Sequence, residues 1–344
     1  METIGENLKE VKPTLFTTVP RLLEKVYEKI MQKGAELTGI KKKLFNWALT
    51  LAEAYDLDNE GSVLYNFQLA LANKIVFSKW REALGNNIDF IVTGGAACQV
   101  RLIKIFTAAQ IPIYEGYGPT ENSPVISVNC RKPGGTKFGT VGLVIEGQEV
   151  RLEDDGEICV KGPSVMMGYY KRPDLTAETI IDGWLHTGDV GVFEDGKYLK
   201  ITDRKKELFK TSGGKYVAPQ KLEGLLKEEP LISHVLIHGD QKKYVTALIC
   251  IDDQQITSWA QNQNIALDST NTLDHLRQNP ALKLRIQKHI QAVNSHLASY
   301  ESIKKFEIIP DSWTVENGCL TQSLKVKRKV VEQKYASLID EMYD

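Results

Sequence analysis

Residues 114–121 read Tyr-Glu-Gly-Tyr-Gly-Pro-Thr-Glu and follow a short apolar run at 111–113. Such a run is typical of a buried strand, and the glycines after it indicate a loop that leaves the end of the strand. Because glycine has no Cβ, the backbone at Gly116 and Gly118 can approach a ligand closely. This segment therefore predicts a strand that ends at a binding loop.

Three side chains in this loop have chemistry that suits a nucleotide. The ring of Tyr117 can lie flat against a planar base. The hydroxyl of Thr120 and the carboxylate of Glu121 suit a phosphate and its Mg²⁺. The same eight residues would also form an ordinary strand-to-loop turn around a buried tyrosine, and the octapeptide alone favours neither interpretation.

A second strand exit precedes this loop. Residues 88–93 have the pattern of a buried strand, 98–109 that of a helix and 111–114 that of the next strand, which predicts a βαβ unit in a parallel sheet covered by helices. Four small residues follow the first strand, namely Gly94, Gly95, Ala96 and Ala97. Ligands of parallel sheets bind beyond the carboxyl ends of the strands. A crevice lined by both exits is therefore a better interpretation than tight packing alone.

Helical patterns precede the βαβ unit. Apolar residues recur at helical spacing over 20–30, where Thr18 or Thr17 suits a cap and Pro20 suits the first turn. Two further helices are predicted over 44–55 and 63–84.

Short strands separated by turns follow the βαβ unit, at 141–145, 149–152 and 157–161, and then a hairpin that turns at Asp195-Gly196. We expect a meander or a small β-barrel over about 139–202. The hairpin follows residues 184–189, Trp-Leu-His-Thr-Gly-Asp. At the start of a strand, Asp189 is well placed to accept hydrogen bonds from two hydroxyl groups, whereas a lone His186 is more often structural than catalytic.

Residues 202–207, Thr-Asp-Arg-Lys-Lys-Glu, form a charged junction at which we place the domain boundary. The expected fold class is α/β and α+β in two domains. The larger, 1–202, has a parallel α/β sheet to about residue 130 and then the small β-barrel, and the smaller, 203–344, is an α+β unit. The basic residues at 325–329 would by themselves be a solvated face of a terminal helix.

The composition bounds the possible functions. A chain of 344 residues exceeds what one core usually supports. The net charge of -1 gives no general attraction to nucleic acid, so we expect no nucleic-acid partner. The five cysteines are scattered, which predicts neither a zinc site nor a disulfide framework and favours a reducing, cytoplasmic location.

Five sequence elements occur together in a recognisable order. They are Gly-Tyr-Gly-Pro-Thr-Glu at 116–121, the stretch 156–170 from Gly-Glu-Ile to Gly-Tyr-Tyr, the segments 184–189 and 203–207, and Leu324-Lys325. As an ordered set they resemble the adenylate-forming superfamily of acyl-CoA synthetases, over essentially the whole chain. Residues 19–25, Val-Pro-Arg-Leu-Leu-Glu-Lys, and 324–328, Leu-Lys-Val-Lys-Arg, are similar to the long-chain fatty acid branch, although many relatives have glycine before that lysine.

The resemblance implies a long-chain fatty acid–CoA ligase that uses ATP, Mg²⁺ and coenzyme A and forms acyl-CoA, AMP and pyrophosphate through an acyl-adenylate. It implies that Tyr117 stacks on adenine, Glu121 holds Mg²⁺, and Thr120 meets phosphate. Small residues would line the nucleotide crevice, namely Gly95, Ala96, Ala97 and Gly118. The ribose hydroxyls would bond to Asp189, with Arg204 nearby.

The remaining implied roles belong to the second domain. Asp203 would be a hinge about which that domain reorients between two half-reactions. Lys325 would reach the crevice in the first half-reaction, and the loop with Gly213 and Gly214 would enter it in the second.

One family element is not found in this sequence. It is the Ser/Thr/Gly-rich phosphate loop that ends in Pro-Lys. The sequence therefore resembles only the later part of such an enzyme, and we expect the chain alone to be inactive. Two alternatives stay open: an adenylating CoA ligase for a short-chain or aromatic acid, and a non-catalytic binding module. Weak peripheral membrane contact through residues 325–329 is a lesser interpretation.

Overall fold

The computed structural model describes residues 4–57, 62–263, 265, 273–322 and 324–344. The chain divides into two compact units, Met1–Ile201 and Thr202–Asp344. Each unit has hydrophobic core clusters of its own.

The first unit contains seven α-helices within the described ranges, which are α1 (Ile4–Val11), α2 (Pro20–Glu36), α3 (Gly39–Glu53), α4 (Val63–Ala72), α5 (Ser78–Ala83), α6 (Val100–Ala108) and α7 (Pro173–Thr179). Its strands are β1 (Leu15–Thr18), β2 (Phe90–Thr93), β3 (Ile113–Tyr117), β4 (Ser127–Val128), β5 (Leu143–Val144), β6 (Glu149–Leu152), β7 (Glu157–Lys161), β8 (Ile180–Ile181), β9 (Trp184–Glu194) and β10 (Tyr198–Arg204), the last of which runs on past Ile201.

Strand β3 joins what the sequence predicts as two separate structures. It pairs in parallel with β2 through one edge and antiparallel with β4 through the other. The strands consequently form one sheet in the order β1-β2-β3-β4-β5-β10-β9-β7-β6, with β8 beside β9. The parallel α/β part and the antiparallel part are both present, but they are continuous rather than a sheet plus a separate barrel.

The parallel strands β1 and β2 end level with each other, and β3 continues for two residues beyond them. Thr18 pairs with Thr93, and Thr93 pairs with Glu115 on the next strand. Thr17 and Thr18 therefore both lie in β1 and neither caps α2, whose N-cap residue is Val19 with no side-chain hydrogen bond. This alignment places the loops after β2 and β3 at the same edge of the sheet.

The helix predicted over 63–84 contains a π-helical segment, Asn73–Phe77, between α4 and α5. The buried amide of Asn73 donates to the carbonyl oxygens of Leu69 and Ala108, and Arg81 donates to Asn73 Oδ1 and to its backbone oxygen. These bonds satisfy backbone and side-chain groups where the backbone hydrogen bonding changes from the α-helical to the π-helical pattern. They account for a π segment that the sequence pattern does not predict.

Five strands lie wholly within the described residues of the second unit, β11 (Phe209–Lys210), β12 (Tyr216–Val217), β13 (Ile232–His238), β14 (Val245–Ile251) and β15 (Ile303–Ile308). Its helices in the described ranges are α8 (Pro219–Leu226), α9 (Asp253–Asn262), α10 (Leu273–Arg277), α11 (Pro280–Asn294), α12 (Arg328–Lys334) and α13 (Ala336–Glu341).

The sheet β13-β14-β15 has a core on each face. Every residue of β14 is buried. Ala247 and Ile249 pack into one cluster, whereas Leu248 and Cys250 pack into another. Since successive side chains of a strand point to opposite faces, a fully buried central strand requires such a double-sided core.

The basic segment 325–329 is not wholly solvated, although its residue types alone indicate a solvated helix face. The guanidinium of Arg328 lies mostly buried, donates to the carboxylate of Glu223 and also donates to the backbone oxygen of Ile237. Glu223 in turn accepts a hydrogen bond from the Ile237 amide at 2.9 Å. This network attaches the start of α12 to α8 and β13.

None of the helices in the described ranges is both long and apolar enough to cross a membrane.

Candidate active site

The two strand exits in the first unit lie against each other. A Cβ placed on Gly94 would come within 3.0 Å of the backbone oxygen of Gly116, so glycine allows the two backbones this close approach. The Cys98 amide, at the end of the first exit, donates to the Glu115 carboxylate at 2.8 Å. The small residues between these contacts, Gly95, Ala96 and Ala97, are exposed beside the Tyr117 loop.

Strand β9 contributes an aspartate to the same place. The Tyr117 hydroxyl donates to Asp189 Oδ2 at 2.7 Å, although 72 positions separate the two residues. Asp189 is only 6% exposed, and its amide donates to the hydroxyl of Thr187 at 3.1 Å. The carboxylate is thus held beside the aromatic ring, where it can accept further hydrogen bonds.

Glu121 lies in a short 3₁₀ turn, Thr120–Asn122, that follows the Tyr117 loop. The hydroxyl of Tyr169 donates to Glu121 Oε1 at 2.7 Å, and this bond to a carboxylate is the main cause that raises the pKa of the tyrosine. Thr120 is exposed on the same turn. A carboxylate oriented by a phenol, next to a hydroxyl, fits the oxygen ligands with which proteins hold Mg²⁺ beside a phosphate.

Gly118 has a structural role within this loop. A Cβ on Gly118 would lie 1.6 Å from the backbone oxygen of Pro124, which no side chain could tolerate. Glycine is therefore required here for the loop to close on itself, whether or not a ligand is bound.

Glu115 is a buried titratable group that sequence reasoning did not select. Its burial raises the pKa of the carboxyl to about 7, partly offset by the hydrogen bond from the Cys98 amide. An acidic residue inside an apolar strand, directly before the glycine-rich loop, is the signal that could have identified it.

In the second unit, Asp203 is buried and accepts a hydrogen bond from the Arg204 amide. Burial raises the pKa of Asp203 to about 6. The side chain of Arg204 is exposed. Gly213 and Gly214 lie at the exposed tip of the β11–β12 hairpin, where the amide of Gly214 closes a turn onto Thr211 at 2.9 Å and its φ is +78°.

Lys325 lies in a tight turn, between Leu320 and Val326, which form an isolated antiparallel bridge. Its amide donates to the Thr321 hydroxyl at 3.0 Å, and its side chain is exposed. Leu324 has a φ of +61°, a conformation that favours glycine, but its side chain packs against the second core cluster of this unit. Packing thus offsets the backbone strain of a leucine at this position.

Within the first unit, one region accordingly contains Gly95, Ala96, Ala97, Tyr117, Gly118, Thr120, Glu121 and Asp189. Within the second unit, the hairpin tip and the Lys325 turn are separate elements.

Comparison with known proteins decides the family. The protein-family model described as "AMP-binding enzyme" matches residues 1–170, and the model described as "AMP-binding enzyme C-terminal domain" matches residues 207–344. The chain belongs to the AMP-binding enzyme family. Its relatives include the long-chain-fatty-acid–CoA ligase FadD15 of Mycobacterium bovis, 38% identical over 337 residues, which cover 97% of this chain and 55% of the relative. The long-chain-fatty-acid–CoA ligase 5 of Rattus norvegicus is 33% identical over 357 residues, covering 99% and 50% of the two chains.

This AMP-binding enzyme chain spans about half the length of the curated relatives that it matches. Solved structures have the same fold. The adenylation domain of a carboxylate reductase from Mycobacterium chelonae matches with a TM-score of 0.70 at 22% identity, over 99% of this chain and 48% of that chain. The o-succinylbenzoate CoA synthetase of Bacillus subtilis, solved with an acyl-adenylate intermediate, matches with a TM-score of 0.60 at 18% identity, over 96% and 53%.

Proposed function

We propose that this AMP-binding enzyme chain is part of a long-chain fatty acid–CoA ligase that works through an acyl-adenylate. The observation that carries the proposal is the 2.7 Å hydrogen bond from the Tyr117 hydroxyl to Asp189, which places an aromatic platform beside a buried carboxylate. Such a pair suits adenosine, because the ring can stack on the base while the carboxylate accepts the ribose hydroxyls. The names of the relatives support a long-chain acid as the substrate.

In the proposed reaction, the fatty carboxylate attacks the α-phosphate of ATP, and pyrophosphate leaves. The thiol of coenzyme A then attacks the acyl carbonyl of the adenylate, loses its proton, and expels AMP. Both reactants of the first step are anionic, so cations must offset their repulsion. Mg²⁺ at Glu121 supplies charge stabilisation on the phosphate oxygens when bound. The hydroxyl of Thr120 donates a hydrogen bond to a phosphate oxygen.

The second unit supplies the groups that differ between the two steps in this proposal. We assign Lys325 to the first step, because its exposed ammonium sits on a turn that the Leu320–Val326 bridge and the Thr321 hydroxyl hold in shape. We assign the hairpin tip with Gly213 and Gly214 to the second step, Arg204 to the ribose, and Asp203 to the hinge. A hinge that exchanges one element for another lets a single site perform both reactions.

The proposal is tested by binding of non-hydrolysable acyl-adenylate analogues with acyl chains of graded length. We expect the purified chain to bind AMP and to bind long-chain analogues more tightly than short-chain or aromatic ones, as measured by isothermal titration calorimetry. Tightest binding of an aromatic or short-chain analogue would favour a ligase for a different acid. Failure to bind any adenylate would contradict the nucleotide site itself.

Catalysis is expected to need a phosphate loop in addition to the residues of this sequence. The chain by itself should therefore show ATP–pyrophosphate exchange at the background rate, even with long-chain acid and Mg²⁺ present. Heat-denatured chain gives the background. Exchange well above that level would show that the elements described here suffice for the first half-reaction, and would contradict this expectation.

Tyr169→Phe is expected to weaken Mg²⁺-dependent binding of ATP by about 10-fold, because the change removes the hydrogen bond that orients the Glu121 carboxylate and such outer-shell partners contribute about this much. A Mg²⁺ titration of ATP binding measures the effect. Tyr170→Phe is the matched control, since Tyr170 is 87% exposed. An equal effect of both substitutions would argue against a metal role for Glu121.

A further inference from the structure

Three side chains of the types that proteins use as metal ligands lie together on the antiparallel part of the first unit. They form a cluster of Glu153, Cys159 and His186, in which one potential ligand atom from each residue lies within 4.8 Å of the other two. Cys159 is on β7, His186 is on β9, and Glu153 follows β6 directly. None of the three has a part in the nucleotide site proposed above.

The sheet register creates this cluster. Cys159 is the cross-strand partner of His186 on one side and of Arg151 on the other. Directly opposed side chains on neighbouring strands lie on the same face of the sheet. The Cys159 Sγ is accordingly 3.3 Å from His186 Nδ1.

A second carboxylate adjoins the cluster. Glu157 Oε2 lies 3.2 Å from the same Nδ1 of His186, and Glu157 is only 6% exposed. The face therefore presents one sulfur, one imidazole nitrogen and oxygens from two carboxylates. Zn²⁺ takes these ligand types in tetrahedral sites, and its bond lengths place neighbouring ligand atoms roughly 3.3 to 3.7 Å apart. The 3.3 Å distance between Cys159 Sγ and His186 Nδ1 is close to this spacing.

Neighbouring groups orient the carboxylates as outer-shell partners do in metal sites. The second oxygen of Glu157, Oε1, accepts a hydrogen bond from the Gly188 amide at 2.9 Å. Glu153 is 2.8 Å from the guanidinium of Arg151, which itself lies 4.4 Å from the centre of the Trp184 ring.

We propose that Glu153, Cys159 and His186 bind a divalent transition metal of the Zn²⁺ class, with a water molecule as the fourth ligand. The Cys159 thiol releases its proton to solvent as the sulfur binds, and His186 binds as neutral imidazole through Nδ1. The metal joins the β6–β7 turn to β9. Because β9 carries Asp189 three residues after His186, the ion stabilises the strand that presents this aspartate and takes no part in the reaction.

The test uses the whole purified chain, stripped of metal with a chelator and then titrated with ZnCl₂ and, separately, with CoCl₂. We expect one Zn²⁺ per chain by elemental analysis after desalting. Tetrahedral Co²⁺ at the site should give both ligand-field bands and a thiolate-to-cobalt charge-transfer band. Less than one Zn²⁺ per chain, or a Co²⁺ spectrum without the thiolate band, would overturn the proposal. The unchanged chain alone is sufficient for this test.

Cys159→Ser should lower the Zn²⁺ affinity by more than about 100-fold, because loss of a ligand exceeds the cost of losing an outer-shell partner. Cys130→Ser makes the same change at a cysteine outside the cluster and should leave the affinity unchanged. Far-ultraviolet circular dichroism establishes that both variants are folded. Equal Zn²⁺ affinity of Cys159→Ser and the unchanged chain would refute the site, as would loss of binding in Cys130→Ser alone.

Discussion

Asp189→Ala is expected to weaken the binding of AMP to the chain by about 100-fold. In the proposed site the carboxylate accepts both ribose hydroxyls, and hydrogen bonds to a charged group contribute about 1.5–3 kcal/mol each. A loss of about 3 kcal/mol corresponds to roughly this factor in the dissociation constant. Since Asp189 is buried and held by Tyr117, water replaces its interactions poorly. Isothermal titration calorimetry with AMP measures the change.

Tyr117 provides the control for this experiment. Tyr117→Phe removes the hydrogen bond to Asp189 but keeps the ring, so the AMP affinity should fall by only about 5-fold, the value of one ordinary hydrogen bond. If Tyr117→Phe weakened AMP binding as much as Asp189→Ala, the aspartate would act mainly by positioning the tyrosine. Undiminished binding by Asp189→Ala would remove the ribose role altogether.

Glu115→Gln is expected to remove a pH dependence of stability worth about 3 kcal/mol. The pKa of Glu115 is raised from 4.5 to about 7 in the folded chain. Between these values the folded state holds a proton that the unfolded state has lost, so the free energy of unfolding falls as the pH rises from 4.5 to 7. A shift of this size corresponds to about 3 kcal/mol. Glutamine keeps an oxygen for the Cys98 amide but cannot ionise.

The variant should therefore gain stability over the unchanged chain as the pH rises, reaching its full advantage above pH 7. Urea unfolding at pH 5, 6, 7 and 8 measures this difference. Glu146→Gln is the matched control, because Glu146 is exposed in a turn of the same unit. A constant difference between Glu115→Gln and the unchanged chain at all four pH values would contradict the assignment of the buried carboxyl.

The bounds of the strands and of helix α6 illustrate what local sequence can predict. The strands at β6 and β7 have the predicted bounds, and β2, β3 and α6 begin within two residues of their predicted starts. Side-chain period, glycine placement and turn residues are local properties, so they can be found without knowing what packs against them. The order of five motifs likewise indicated the adenylate-forming superfamily, which the matches to both AMP-binding family models confirm.

The sequence by itself determined the alternation of elements, the presence of a glycine-rich loop after β3, and the residue types available for nucleotide chemistry. Tertiary structure alone decided which residues meet. It placed Asp189 against Tyr117, joined the parallel and antiparallel strands through β3, and brought Cys159 beside His186, 27 positions away in the sequence. These contacts depend on strand register between segments far apart in the chain. The burial that raises the pKa of Glu115 depends on the packing of several elements at once.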